Sequence, residues 1–292
     1  MLLLKCFETA KKTWLTRISY FRYNRRRFFF FDKFFELGLA MKFFSKSAFV
    51  VLFFGVNHTA SVFSEVEQRS HLVIGVDERV PSFDSKIGRM QRSSKGSNYC
   101  TATLISDSCV ISAGHCSIVA RSVHFNIPFV EGIKGKAAKE DIYQLSGKGT
   151  KYVNKGPGRD WGVFKVKRNK ITKLLPGEKY GYYQPIFSLP TPGQKIKITS
   201  YGHSETKYST YQQSSEGTVH QTTVDGENKH YMEHTVDTSS SSSGAVLFDM
   251  NQRLVGIHTH SHYGKIINIA TAISQNAEFI DAIKTCVDLE TK

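Results

Sequence analysis

Acidic side chains are scarce in this sequence: 25 Asp and Glu stand against 39 Lys and Arg, a formal net charge of +14. Such a surplus invites a nucleic-acid partner, but its distribution argues against one. Residues 1–64 hold eleven Lys/Arg and three Asp/Glu, so residues 65–292 hold 28 against 22 and are only mildly basic. No Arg-rich helix pattern or aromatic platform accompanies that charge, and no nucleic-acid partner is expected. A spanning segment is missing too, since the apolar run over residues 47–56 is too short to cross a bilayer. The donor set of a metal centre is incomplete. His258, His260 and His262 alternate as ligands on one face of a strand would, yet no nearby carboxylate or cysteine completes them. No metal and no cofactor is expected. Proline is rare, 7 against 22 glycines, and with 40% hydrophobic and 22% charged residues the composition is that of a soluble globular protein.

What is present is a serine run in an unusual setting. Asp237-Thr238 leads into five serines, Ser239 to Ser243, followed by Gly244 and the apolar Ala245-Val246-Leu247-Phe248. A flexible linker rarely feeds straight into a buried strand. A Ser immediately before Gly, in a tight turn between strands, is one way to present a nucleophile, but it needs a base and an orienting acid elsewhere.

Both exist. The segment 100–105 and the segment 110–116, which ends Ser112-Ala113-Gly114-His115-Cys116, read as two short strands around a turn at Ser106-Asp107-Ser108. A Cys100–Cys116 bond would close that hairpin and fix His115 at its end. Arg159-Asp160-Trp161-Gly162-Val163 places an acid just ahead of a strand. His115, Asp160 and Ser243 then form a set in which His115 removes the serine proton and Asp160 holds the imidazole tautomer.

With these residues on the page, the order His, Asp, Ser, the segments "SAGHC", "RDWGVFKV" and "SSSGAVLF", and the later "LVGIHTH" resemble the trypsin/chymotrypsin-like serine endopeptidases. Within them the chain is most similar to the bacterial glutamyl endopeptidase branch, from about Val73 onward, where "VIGVDERV" resembles the start of mature enzymes. The resemblance implies two packed six-stranded Greek-key β-barrels, an all-β fold with a C-terminal helix. Short strands with turn signals, such as 195–201, 253–258 and 266–270, agree with an all-β reading. The first barrel is expected over about 73–175, the second over about 180–272, and the helix over about 275–286, with the connection near 173–192. The family's acyl-enzyme chemistry on peptide substrates is implied, with the backbone N–H groups of Ser241 and Ser243 as oxyanion donors. Two departures stand out: Ser241 occupies a position that is usually Gly, and Val246 one that is usually Pro. The first leaves a non-catalytic, partner-binding homologue as an alternative.

Specificity is open among an acidic, a basic and a broader reading, and residues can be named for the first two. Asp237, six residues before Ser243, matches the acid with which trypsin-like enzymes select Lys or Arg. Thr238 and His258 match the positions with which glutamyl endopeptidases bind an acidic side chain, and Val73 would supply the free amine that assists there. Glu, or Asp, before the scissile bond is the favoured expectation. His260 and His262 are read as solvated histidines on the pocket rim. His124, His203, His220, His230 and His234 are read as surface or strand residues without a role.

The N-terminal region contains a second beginning. Met41-Lys42 and Lys46 precede an apolar run from Ala48 to Val56, with small and polar residues at Thr59 to Ser64, as in a secretory signal peptide. Residues 41–64 are therefore expected to direct export, 65–72 to form a propeptide, and 1–40 to be an upstream extension outside the mature protein. A long basic leader or membrane anchor is the alternative. Export suits the cysteines: Cys6 falls in the leader, and Cys100, Cys109, Cys116 and Cys286 remain. Family resemblance and hairpin agree on Cys100–Cys116. Cys109–Cys286 then remains as a second bond tying the helix to the first barrel, or as two buried thiols. Nothing in the sequence indicates an oligomer, and a monomer is expected.

Overall fold

A computed structural model describes residues 73–91, 99–118, 120–129, 135–203, 211–225, 229–262 and 264–288. The expected extension, signal peptide and propeptide (1–72) lie outside them, as does Cys6. The described residues fall within one compact unit, Ser64–Lys292.

In chain order the strands are β1 (Val80–Pro81), β2 (Ile87–Gln91), β3 (Tyr99–Leu104), β4 (Cys109–Ser112), β5 (Ser122–His124), β6 (Ile142–Asn154) and β7 (Asp160–Val166). After a short helix α1 (Pro176–Tyr180) follow β8 (Lys195–Ser200), β9 (Gln213–Asp225), β10 (Lys229–His234), β11 (Val246–Asp249), β12 (Leu254–Ser261) and β13 (Asn268–Ala272). Helix α2 (Ala277–Asp288) ends the described chain. Strands β2-β3-β4-β7-β6-β5 close into one antiparallel barrel. The order β9-β10-β13-β12-β11-β8 closes into a second, because β8 also pairs with β9. Closure leaves no unpaired edge on either ring and fills each interior with side chains.

The alternation read in the sequence becomes burial where only one face is covered. Strand β8 shows it, with Ile196 and Ile198 in the second core and Lys195 and Lys197 outside. Strand β7 is buried on both faces because helix α2 covers the outer one. Trp161 stacks on Phe279 with ring centroids 4.8 Å apart, and the Cys109–Cys286 disulfide fastens the last helical turns to β4. Helix α2 forms for local reasons as well. Asn276 accepts the Phe279 N–H through Oδ1 at 3.1 Å, an N-cap bond, and Phe279, Ala282, Ile283 and Cys286 share its buried face.

One boundary differs from the expectation. The first barrel begins at Ile87 rather than Val73, because β1 pairs with β9 of the second barrel (Val80↔Ser214, Pro81↔Gln213). Proline has no N–H for a central ladder, and a two-residue added strand is where it is tolerated. Residues 213–215 belong to β9.

Candidate active site

Strand β4 ends at Ser112 and the chain turns through Ala113 and Gly114 into a 3₁₀ turn, Gly114–Ile118. Gly114 is required there, since a Cβ would lie 1.8 Å from the carbonyl oxygen of Val153. The turn carries His115, and the Cys100–Cys116 disulfide locks it to β3. Asp160 opens β7 and is buried, with 2% of its surface exposed. Both its carboxylate oxygens meet His115: Oδ2 lies 2.6 Å from Nδ1, and Oδ1 accepts the His115 backbone N–H at 2.8 Å. Thr271 of β13 donates its hydroxyl to the Asp160 carbonyl at 3.0 Å, so the second barrel braces the acid. With Nδ1–H donated to the carboxylate, the lone pair of His115 resides on Nε2.

The serine turn is clamped to the same hairpin. The Thr101 N–H donates to the Ser243 carbonyl at 2.8 Å, and that carbonyl lies 4.0 Å from Cys116 Sγ. Gly244, at φ +86°, has no room for a side chain: a Cβ would sit 2.0 Å from Ser112 Oγ and 2.4 Å from the Thr101 carbonyl. The turn carrying Ser243 therefore abuts the ends of β3 and β4, beside the residue that follows His115. Ser243 Oγ donates to the Thr259 carbonyl at 3.2 Å.

The other serines shape the turn. The Ser242 N–H donates to the Ser239 carbonyl, the Ser239 N–H donates to Ser242 Oγ, and Ser242 Oγ lies 2.9 Å from Ser200 Oγ at the end of β8. Ser241 adopts φ +79°, the left-handed region that favours glycine, and its carbonyl accepts the Thr101 hydroxyl at 3.1 Å. Among the described residues no protein group accepts the Ser241 N–H.

Beside the turn lie three further residues singled out in the sequence. Thr238 is buried, and its hydroxyl has no partner among the described residues. His258 is wholly buried on β12 with Nδ1 3.2 Å from Nε2 of His234 on β10. Burial alone pushes His234 down to about 3, so it is neutral at ordinary pH. His234 Nδ1 has no partner. Leaving a lone pair bare is cheaper than burying an unpaired N–H, so His234 donates Nε2–H to His258 Nδ1. His258 then carries its own proton on Nε2, as a donor. This pairing was invisible in the sequence, where His234 had no role.

Asp237 differs most from its expected place. Its buried carboxylate accepts the Ile74 N–H at 2.7 Å through Oδ1 and the Glu78 N–H at 2.9 Å through Oδ2. Both oxygens are engaged by the N-terminal segment, which leaves the carboxylate poorly suited to choosing a basic substrate side chain. Val73 lies next to that anchor, half-buried.

The alternating histidines 258, 260 and 262, the first two on β12, do not form a regular row. A register shift falls between His258, opposite Ala270, and His260, opposite Ile269. His260 is depressed chiefly by burial, with the neighbouring His115 and His262 adding to the effect and Asp160 opposing it. His262 lies 3.9 Å from the buried Glu233, which also binds Lys265 at 3.1 Å. Among the described residues the group with metal-ligand proximity is Cys100, His115 and Cys116, and its two sulfurs are bonded to each other.

Comparison with known proteins agrees with this architecture. A family model described as Trypsin matches residues 73–280. Among solved structures, a Glu endopeptidase in complex with MPD superposes with a TM-score of 0.58 at 23% identity, over 74% of this chain and 100% of that one. The protease Anisep from Arthrobacter nicotinovorans gives 0.54 at 16% identity, over 72% and 99%. A thermostable serine protease, AL20, from an extremophilic microorganism gives 0.52 at 14%, over 72% and 98%. Comparison by sequence with curated proteins returned no match. A buried Asp–His pair and a serine turn where two closed barrels meet, together with a family match over most of the chain, place it in the trypsin family of serine endopeptidases.

Proposed function

We propose that this endopeptidase acts through Ser243, His115 and Asp160, and prefers Glu, or Asp, before the scissile bond. His115 Nε2 takes the Ser243 proton as Oγ attacks the peptide carbonyl carbon. Asp160 stabilises the resulting imidazolium, and the Ser241 and Ser243 N–H groups receive the oxyanion, each such donor contributing roughly 2.7–4 kcal/mol in known sites. Collapse of the tetrahedral intermediate expels the amine, which takes the proton from His115 and leaves an acyl-enzyme. Water then repeats the sequence, deprotonated by His115, and regenerates Ser243.

The observation that carries this reading is the pair of hydrogen bonds that His115 donates to the Asp160 carboxylate, in a hairpin that also fastens the carbonyl of Ser243. A fluorophosphonate probe should label Ser243, and Ser243→Ala or His115→Ala should abolish turnover. A folded protein that is not labelled would overturn the assignment.

The acidic preference is supported by donors without a matching charge. A buried substrate carboxylate needs hydrogen bonds, since an unpaired one is costly to desolvate. The orphaned Thr238 hydroxyl and the Nε2–H of His258 are such donors. A free amine at Val73 would stand one residue from Ile74, whose N–H is anchored on Asp237, the residue before Thr238. Profiling against a peptide library tests this, and a preference for Lys or Arg would sink it. Export through residues 41–64 belongs to the same proposal. The two disulfides support it, since such bonds persist in oxidising compartments. Among the described residues no helix is long and apolar enough to cross a membrane. Sequencing the N-terminus of exported protein decides where the mature chain starts.

A further inference from the structure

Among the described residues no cation pairs with the buried Asp237 carboxylate, which obtains its donors from the backbone of a segment 159 and 163 residues away in sequence. That segment, residues 73–82, is strapped down elsewhere too. β1 adds to β9, and the Ser82 N–H donates to the Gln212 carbonyl at 2.9 Å. Arg79, held by Asp77 through Nε and Nη2, donates from Nη1 to the His203 carbonyl at 3.1 Å. The His203 N–H in turn donates to the Ser240 carbonyl at 2.7 Å. Gly202 packs so tightly on the serine turn that a Cβ there would lie 2.4 Å from Ser239 Oγ. Two routes therefore run from strap to turn: the covalent step from Asp237 to Thr238, and the hydrogen-bonded step from Arg79 through His203 to Ser240.

We propose that Asp237 is a positioning residue whose carboxylate clamps the strap, and that the clamp holds Thr238 and the serine turn in the shape that receives substrate. The inference rests on the reading of Thr238 as a pocket residue. The clamp differs from one built on a freed terminus. Its donors are the peptide N–H groups of Ile74 and Glu78, which exist whatever precedes Val73, so closing it requires no cleavage. A terminal amine at Val73 would add charge to a pocket wall that is already in place.

The test uses the full chain and a form trimmed to begin at Val73. Ile74→Pro deletes one clamp donor, Ile74→Ala keeps it while removing the same side chain, and Asp237→Asn weakens the acceptor. By hydrogen exchange, the amides of residues 238–245 should exchange at least tenfold faster in Ile74→Pro and Asp237→Asn than in Ile74→Ala. The parent should protect them equally, within threefold, before and after trimming. In the same variants the KM for a peptide with Glu before the scissile bond should rise at least tenfold, with kcat and fluorophosphonate labelling changed less than threefold. Equal exchange in Ile74→Pro and Ile74→Ala overturns the clamp, as does protection that appears only after trimming. Parallel loss of labelling and KM overturns its role in the pocket. A parent that neither labels nor turns over peptide defeats the functional reading, and the exchange comparison then still decides the clamp.

Discussion

Replacing Ser241 with glycine separates two accounts of the serine turn. By sequence, a side chain at this position threatens the oxyanion donor. In the structure Ser241 already holds φ +79°, the conformation glycine would adopt, so the strain falls on stability and the substitution is expected to leave the backbone where it is. A non-glycine residue in the left-handed region costs about 1–2 kcal/mol. Glycine removes that cost but loosens the unfolded chain by about 0.4–1 kcal/mol. The Thr101 bond to the Ser241 carbonyl survives the substitution. Ser241→Gly should therefore raise stability by about 0.5–1 kcal/mol, a gain of roughly 2 °C in Tm for a domain of this size. A misplaced oxyanion donor would cost about 10²–10³ in kcat; on the proposed reading the backbone already has the glycine-like conformation, and kcat should change less than about threefold. Thermal unfolding and steady-state kinetics on one peptide measure both. A hundredfold rise in kcat would refute the reasoning, because it would mean that serine displaces the donor.

Three further expectations follow from the packing. Removing the Cys109–Cys286 bond by Cys→Ser at both positions opens a loop with a sequence separation of 177 and should cost about 5 kcal/mol by chain entropy; a loss under 1 kcal/mol in denaturant titration would contradict it. Acid should destabilise the fold through two buried histidines. His124 is held down to about 4 by burial and then by Arg89, and His234 to about 3 by burial. Their folded values lie below the unfolded value of about 6.5, so the unfolded chain takes up protons first as pH falls. Stability should be full above about 6.5 and decline toward 4 and below, with His124 alone accounting for about 3 kcal/mol. In urea titrations across pH, His124→Gln should flatten that decline, and an unchanged slope would refute the assignment. Finally, His234→Phe removes the donor that sets the His258 tautomer. Glu-directed kcat/KM should fall about tenfold while fluorophosphonate labelling holds, and equal loss in both would point to a packing defect instead.

Much of the site was legible because its parts are local. The hairpin around Ser106-Asp107-Ser108, the cysteine that follows His115 and the strand that follows Asp160 are each written in a few adjacent residues. Features built by distant contacts were not. The His234–His258 pair joins two strands through residues 24 positions apart; His258 stood out only through the family resemblance, and His234 alone reads as an ordinary strand residue. The bulge after His258 breaks a row that alternation alone predicts to be regular. Asp237 sits at a position where an acid has a familiar meaning. Its carboxylate is instead occupied by two backbone donors from the far end of the described chain, which no motif encodes because every residue but proline carries an N–H.

Composition reads the run from 239 to 243 as flexible, and its hydrogen bonds make it a fixed turn. Short hydroxyl side chains serve both ends, because they bond their own backbone and thereby compete with regular structure. In solvent that competition yields a linker. Here the neighbours decide it: Ser242 reaches Ser200 on β8 and the Ser239 N–H, Ser240 receives His203, Ser241 receives Thr101, and the Thr101 N–H holds Ser243. Of the five serines only Ser240 is exposed. The rigidity of the turn thus comes from two barrels and a strap pressing on it, which is why substitutions at Ile74 or Asp237, outside the run, are expected to loosen it more than Ser241→Gly within it.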